Sequence, residues 1–245
     1  MSESTLEVKA GFDEKNAVFG GQPSPGTKEF AELCRSLDRR PFGYRFIKRA
    51  FDIVFSAGVV AVGLIPAVLL SVVIAIDTKG SPIYSQIRVG RFGKPFRIYK
   101  FRSMVADADN VEKYLDAEQL AQWHRERKVD NDPRITSLGR KLRRTSLDEM
   151  PNFLNVLKGD LSVIGPRAVS SEEIVWFGAD ASTVLSVPAG ITGLWQATQR
   201  NDATFESGER QRIELEYARN AGFAIDARCF IGTLGVMFGK KRTGR

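Results

Sequence analysis

From Ile53 to Ile76 the chain runs for 24 residues without a charge, Asn, Gln or His, and no other feature constrains its folding so strongly. At about 1.5 Å rise per residue, a helix of that length reaches about 36 Å, enough to cross a hydrocarbon core of about 30 Å. A helix that is apolar on every side has no face to turn to water, so it is buried in a large core or it meets lipid. Its length and uniform apolarity favour lipid over a soluble core. Pro66 divides the run into 13 and 10 residues, neither of which spans alone. Proline removes a backbone hydrogen bond and clashes with the preceding turn, which favours a kink. Arg39, Arg40, Arg45, Lys48 and Arg49 precede the run, and Lys79, Arg88, Arg91, Lys94 and Arg97 follow it. Positive charge therefore selects neither end as the cytosolic one. A hairpin with both ends in the cytosol explains that symmetry; a kinked spanning helix stays open as the alternative, because membrane helices tolerate proline.

Residues 1–40 contain Gly11, Gly20, Gly21, Pro23, Pro25 and Gly26 with little apolar periodicity, which predicts a flexible leader with one short helix over Phe30 to Leu37. No basic stretch followed by an apolar core stands near Met1, so the leader does not read as a secretory signal. Cys34 and Cys229 are the only cysteines and form no metal-binding pair, which fits a reducing, cytosol-facing location. His124 is the single histidine, so a multi-histidine metal site is excluded, and its polar neighbours predict a surface position. The 36 Lys and Arg against 29 Asp and Glu give a formal charge of +7, which suits an anionic partner: nucleic acid, a phosphorylated substrate or acidic lipid.

Beyond Gly80, short β-like pieces such as Pro95 to Phe101 alternate with helical stretches at Val111 to Arg127 and Glu206 to Asn220. The segment Phe223 to Phe238 is apolar but broken by Asp226 and Arg228. With Lys240, Lys241, Arg242 and Arg245 after it, it predicts an interfacial helix with a basic end.

The chemistry concentrates at Arg143-Arg144-Thr145-Ser146-Leu147-Asp148-Glu149-Met150-Pro151. One reading makes Ser146-x-x-Glu149 a capping box. That puts Pro151 deep in the first turns, where its ring is costly, whereas a helix that starts near Pro151 leaves the acidic pair just ahead of it. In either case the carboxylates lie near the positive end of a helix and near arginines, a setting suited to phosphate. Adjacent helical side chains diverge by about 100°, so Asp148 and Glu149 should hold separate roles.

Residues 145–167, TSLDEMPNFLNVLKGDLSVIGPR, resemble the signature block of the monotopic phosphoglycosyl transferases, bacterial sugar transferases that begin exopolysaccharide and glycoconjugate assembly. The resemblance extends over Tyr99-Lys100-Phe101-Arg102-Ser103-Met104, Gly190 to Gln196 and Arg200-Asn201-Asp202, about residues 45–235. It implies that Asp148 is the nucleophile on the β-phosphorus of a UDP-sugar, forming a phosphosugar-enzyme and UMP before polyprenyl (undecaprenyl) phosphate takes the group. It implies that Glu149 activates or positions the acceptor. Arg143 matches the phosphate-binding arginine; Arg167, Arg200, Lys100 and Arg102 are further substrate contacts, although Lys100 and Arg102 also suit headgroups. A carboxylate that attacks a pyrophosphate meets like charge, so Mg is expected at Asp148. Three positions depart from the pattern: Ile65 before Pro66, Ala168 after Gly-Pro-Arg, and Ala189 between Pro188 and Gly190. The first weakens the hairpin inference, and the others bear on substrate loops.

The expected protein is α+β and mainly helical, a small monotopic enzyme at the cytosolic face of the bacterial inner membrane. It has a leader over 1–40, a re-entrant membrane helix with its flanks over 41–80, and a catalytic domain with interfacial helices and a small β element over 81–245. Its partners are the UDP-sugar, polyprenyl phosphate and inner-membrane lipids, with a homo-oligomer open. A membrane-tethered scaffold and a basic nucleic-acid-binding protein are the competing classes. No zinc-finger or RNP-like pattern supports the second, so no nucleic-acid partner is expected.

Overall fold

The computed structural model describes residues 19–126, 129–198 and 205–238. Helix α1, Lys28–Leu37, starts at Thr27, whose hydroxyl accepts the Phe30 N–H at 3.1 Å, a conventional N-cap. Here the expectation of a flexible leader is corrected for its described part. Phe19, Phe30 and Cys34 are fully buried against Val89, Val169, Ile174, Ala181 and Leu215. A few large apolar side chains suffice to dock a segment whose sequence has no extended periodicity.

Helix α2, Phe42–Thr78, is 37 residues long and contains the apolar run. It is helical on both sides of Pro66 and through it, so the proline does not break the helix. Among the described residues it is the one helix long and apolar enough to cross a membrane, and only 6% of its most apolar window is buried. Val62 is 83% exposed and Ile65 73%. A soluble core helix would bury these positions, so the soluble-core reading of the run fails.

Both ends of α2 are packed. At its foot, Tyr44, Lys48, Asp52 and Ser56 are buried one turn apart, on a single face. Near its far end Ile74 is fully buried with Phe101 and Leu142, flanked by Ala67, Leu70 and Met150.

Strands β1, Ile83–Val89, and β2, Pro95–Phe101, form an antiparallel hairpin with Tyr84 opposite Lys100 and Arg88 opposite Phe96. The β piece expected at 95–101 is therefore present. Helix α3, Ala117–Glu126, is shorter than expected because Val111–Lys113 is a separate 3-10 turn. The boundary is a reciprocal cap, in which the Gln119 N–H donates to the Asp116 carboxylate and the Asp116 N–H to the Gln119 side chain. His124 is exposed on α3, as expected.

Helices α4, Ser137–Thr145, and α5, Asn152–Lys158, bracket the acidic pair. Strands β3, Ser162–Ile164, and β4, Gly190–Thr192, pair in parallel. Short helices α6, Ala181–Val184, and α7, Leu194–Thr198, then lead to α8, Glu209–Arg219, and α9, Phe223–Phe238. The basic residues after 238 lie outside the described part. The main core gathers Val156, Leu161, Val163, Val187, Leu194 and Ile213 between α5, the parallel pair and α8.

Candidate active site

Ser146 decides how the acidic pair is presented. It adopts the left-handed conformation, φ 57°, and ends α4, with its N–H donating to the Arg143 and Leu142 carbonyls. It makes no side-chain cap for the following turn, so the capping-box reading is not realised. Leu147–Glu149 form a single 3-10 turn, and α5 begins immediately after Pro151. Asp148 and Glu149 thus sit in a tight turn between two helices, as the placement of Pro151 predicted.

Two polar anchors fix α5 beneath that turn. Arg49, from α2, donates to the Val156 and Leu157 carbonyls at 2.6 and 2.9 Å, which satisfies the last turn of α5 with a cation. Asn155, fully buried, donates to the Arg97 carbonyl at 2.6 Å and accepts the Tyr99 N–H at 3.2 Å. Lys100 follows Tyr99 in the strand, so this register carries its ammonium to 2.7 Å from Glu149 Oε1.

Arg143 points from α4 toward the same turn. Its Nε donates to Ser103 Oγ at 2.9 Å. Burial lowers its affinity for the proton, and the nearby charges of Asp148 and Asp132 act against that. An arginine remains charged throughout this range, so Asp148 faces a fixed cation.

A small cleft opens beside Glu149, lined also by Arg88, Lys100, Asn152, Arg167, Ala168 and Gly190. Three cations and one carboxylate make it a site for an anion. Its back wall depends on glycine. A Cβ on Gly165 would lie 2.4 Å from the Pro188 carbonyl oxygen, and one on Gly190 2.1 Å from the Gly165 nitrogen. The Gly165-Pro166-Arg167 turn and β4 therefore approach backbone to backbone, which aims Arg167 at the cleft. Ala168 and Ala189, two of the departures, are buried small residues in this wall.

On the other side of the turn lies an apolar groove, between α2 and the start of α5. Val59, Gly63, Ala67 and Ser71 form one wall, Met150, Pro151 and Leu154 the other. The acidic turn is the boundary between the two spaces, since Glu149 lines the cleft and Met150 and Pro151 line the groove.

Of the residues expected at the site, Lys100, Arg143, Asp148, Glu149 and Arg167 surround this junction. Arg102 does not join them. Its guanidinium donates to the Ser81 carbonyl at 2.7 Å and lies 5.7 Å from the Tyr84 ring centre, exposed. It follows Lys100 by two in sequence, but β2 ends at Phe101 and the chain turns away. Arg200 lies outside the described residues. Arg88 and Asn152 were missed, because an arginine inside an alternating strand and an asparagine at a helix start give no sign of sharing a cleft.

Asp148 and Glu149 are the hard carboxylates at the turn, and the described residues contain no group of three metal-ligating side chains that could hold an ion by themselves. Mg is ordinarily held by one or two carboxylates together with substrate phosphates and water. Asp148, in the turn beside a cationic cleft, fits that donor set. Cys34 and Cys229 are free and buried, with burial pushing each thiol up to about 12, so neither is a reactive nucleophile.

The family model for bacterial sugar transferases matches residues 43–240. The undecaprenyl-phosphate galactose phosphotransferase of Salmonella typhimurium is 44% identical over 179 residues, which cover 72% of this chain and 37% of the relative. The UDP-galactose-lipid carrier transferase of Erwinia amylovora is 37% identical over 203 residues, 82% of this chain and 42% of the relative. The exopolysaccharide production protein ExoY of Rhizobium meliloti is 36% identical over 191 residues, 76% of this chain and 83% of the relative. The chain thus spans less than half the length of the first two relatives.

Proposed function

This chain belongs to the bacterial sugar transferase family, and from that premise we propose that it moves a sugar phosphate from a UDP-sugar to undecaprenyl phosphate, releasing UMP, as a first membrane step of exopolysaccharide or glycoconjugate assembly. One observation carries the reading: the acidic turn separates a cationic cleft from an apolar groove. A charged, water-soluble donor suits the first space and a lipid acceptor the second.

In this reading a carboxylate oxygen of Asp148 attacks the β-phosphorus. The bond from that phosphorus to the bridging oxygen breaks and UMP leaves, with Arg143, Lys100 and Arg167 holding the phosphate oxygens. An oxygen of the acceptor phosphate then attacks the same phosphorus, and the bond to Asp148 breaks, which restores the carboxylate. Glu149 positions or activates the acceptor from the cleft side. Mg, when bound at Asp148, supplies charge neutralisation for an anion that approaches an anion.

The exposed apolar surface of α2 supports insertion into the inner membrane. The buried residues at both its foot and its far end favour the re-entrant form, with both ends at the cytosolic face. A straight helix of 37 residues is about 55 Å long and, in crossing a bilayer, would carry one end away from the domain. With Cys34 and Cys229 removed, a single cysteine placed ahead of α2 is expected to resist a thiol reagent that does not cross the inner membrane. Labelling there would overturn the re-entrant reading.

The reaction itself is tested by Asp148→Asn, which is expected to abolish both UMP release and capture of a radiolabelled sugar phosphate, since an amide is a far poorer nucleophile at phosphorus. A variant that still forms the covalent adduct removes Asp148 from this role, and a parent that releases no UMP from any UDP-sugar favours the scaffold class.

A further inference from the structure

Arg88 lines the cleft from β1, opposite the acidic turn, and its orientation is set by two side chains. Its Nη1 donates to Glu173 Oε2 at 2.7 Å and its Nη2 to Gln86 Oε1 at 2.8 Å. The guanidinium keeps further N–H groups for a ligand. Glu173 serves more than Arg88. Its Oε1 lies 3.8 Å from Arg210 Nη1, and its Oε2 accepts the Ser170 N–H at 2.8 Å. The carboxylate is mostly buried, and the charges of Arg88, Arg210 and Arg167 outweigh burial and hold it below the usual range, so it is ionised at neutral pH.

Three guanidiniums therefore gather about one carboxylate. Arg210 is fixed on its other side between aromatic rings, 3.9 Å from the Phe205 centre and 4.4 Å from that of Trp195. Its Nε and Nη2 are buried with no hydrogen-bond partner among the described residues. Like charges at such distances repel unless a counter-charge sits between them. Removing the negative charge of Glu173 would let Arg88 swing off the cleft wall.

We propose that Glu173 is a positioning residue for the donor: by pairing with Arg88 and facing Arg210, it holds Arg88 as a further contact for the diphosphate of a nucleoside diphosphate. The inference rests on the proposed reaction and adds to it two residues that the acidic signature block does not contain. Ser170-x-x-Glu173 is also a reciprocal cap, with the Glu173 N–H donating to Ser170 Oγ at 3.2 Å, so a merely structural role has to be separated from it.

A double-mutant cycle makes the separation. Glu173→Gln, Arg88→Gln and the double variant of the full chain in lipid nanodiscs are titrated with UDP by calorimetry, assayed for UMP release and melted. Each single variant is expected to weaken UDP about tenfold and to raise the donor KM similarly, with kcat within about twofold. The double variant should be no worse than the worse single one, because Glu173 acts through Arg88. Additive losses, or a lowered melting temperature with UDP affinity unchanged, overturn the proposal. A parent that releases UMP while both variants bind UDP as it does overturns this inference alone; a parent that neither binds UDP nor releases UMP overturns the reaction and the inference together.

Discussion

Two clusters of paired charges in this molecule serve different purposes. At the foot of α2, Lys48 lies 3.2 Å from Asp226 and 3.9 Å from Asp52, and all three side chains are at most 10% exposed. Asp226 also accepts hydrogen bonds from Tyr44 and Tyr217 at 2.9 and 2.6 Å, and Asp52 accepts from Ser162 Oγ and the Val163 N–H at 3.0 Å. Nearly every site on these carboxylates is taken by protein, so the cluster joins α2 to β3 and α9 and offers nothing to a ligand. At the cleft, Lys100 with Glu149 and Arg88 with Glu173 likewise pair a cation with a carboxylate but retain 14–22% exposure. Their charges are aligned by protein and finished by whatever enters. Burial and the number of satisfied lone pairs, not residue identity, separate a structural ion pair from a binding one.

The comparison is broken most severely at the cleft. Glu149→Gln keeps the shape of the turn but removes the charge opposite Lys100; turnover is expected to fall about 10²–10⁴-fold with the melting temperature and membrane association unchanged. Near-normal UMP release would make Glu149 a structural partner of Lys100, like the members of the foot cluster.

The opposite pattern is expected at the foot. Lys48 approaches both carboxylates without an aligned hydrogen bond, so it acts as a point charge between them. Lys48→Met leaves two buried carboxylates without that cation and should cost about 3–5 kcal/mol of stability. Donor KM measured on the folded fraction should stay within about twofold. A large KM change with no loss of stability would dissolve the distinction between the clusters.

Glu214 sharpens the comparison because it lies between the two regimes, wholly buried in α8 yet beside Arg210 and Arg167. Burial, opposed by those arginines and assisted by Glu173, pushes its carboxyl up to about 7. A raised carboxyl pKa means that the folded state holds a proton the unfolded chain has released. The stability it contributes is complete below about pH 4.5 and is lost as pH rises to about 7. Glu214→Gln should therefore match the parent near pH 4.5 and exceed it above pH 7, by on the order of 1–3 kcal/mol. Equal melting temperatures at pH 8 would show that Glu214 is fully compensated as an anion.

Much of this molecule is legible without coordinates, for identifiable reasons. The long apolar helix declares itself because 24 apolar residues in succession have few other uses. The start of α5 was readable because proline excludes most helical positions but not the one before the first turn. The α1 helix was readable over Phe30 to Leu37, but its docking was not, since the burial of Phe19 and Phe30 depends on partners more than fifty residues away. Arg102 misled for a similar reason: proximity to Lys100 in sequence says nothing about where the chain leaves its strand.

By itself, then, the sequence determined the long apolar helix, the acidic turn with its arginines and the family, because each rests on local composition or on a contiguous signature. Tertiary structure alone decided that the turn divides a cationic cleft from an apolar groove, that Arg88 and Glu173 stand across from it, and that Lys48 belongs to the fold and not to the site. These facts depend on contacts between residues tens to almost two hundred positions apart, and on how much water each charge retains, which no local pattern encodes.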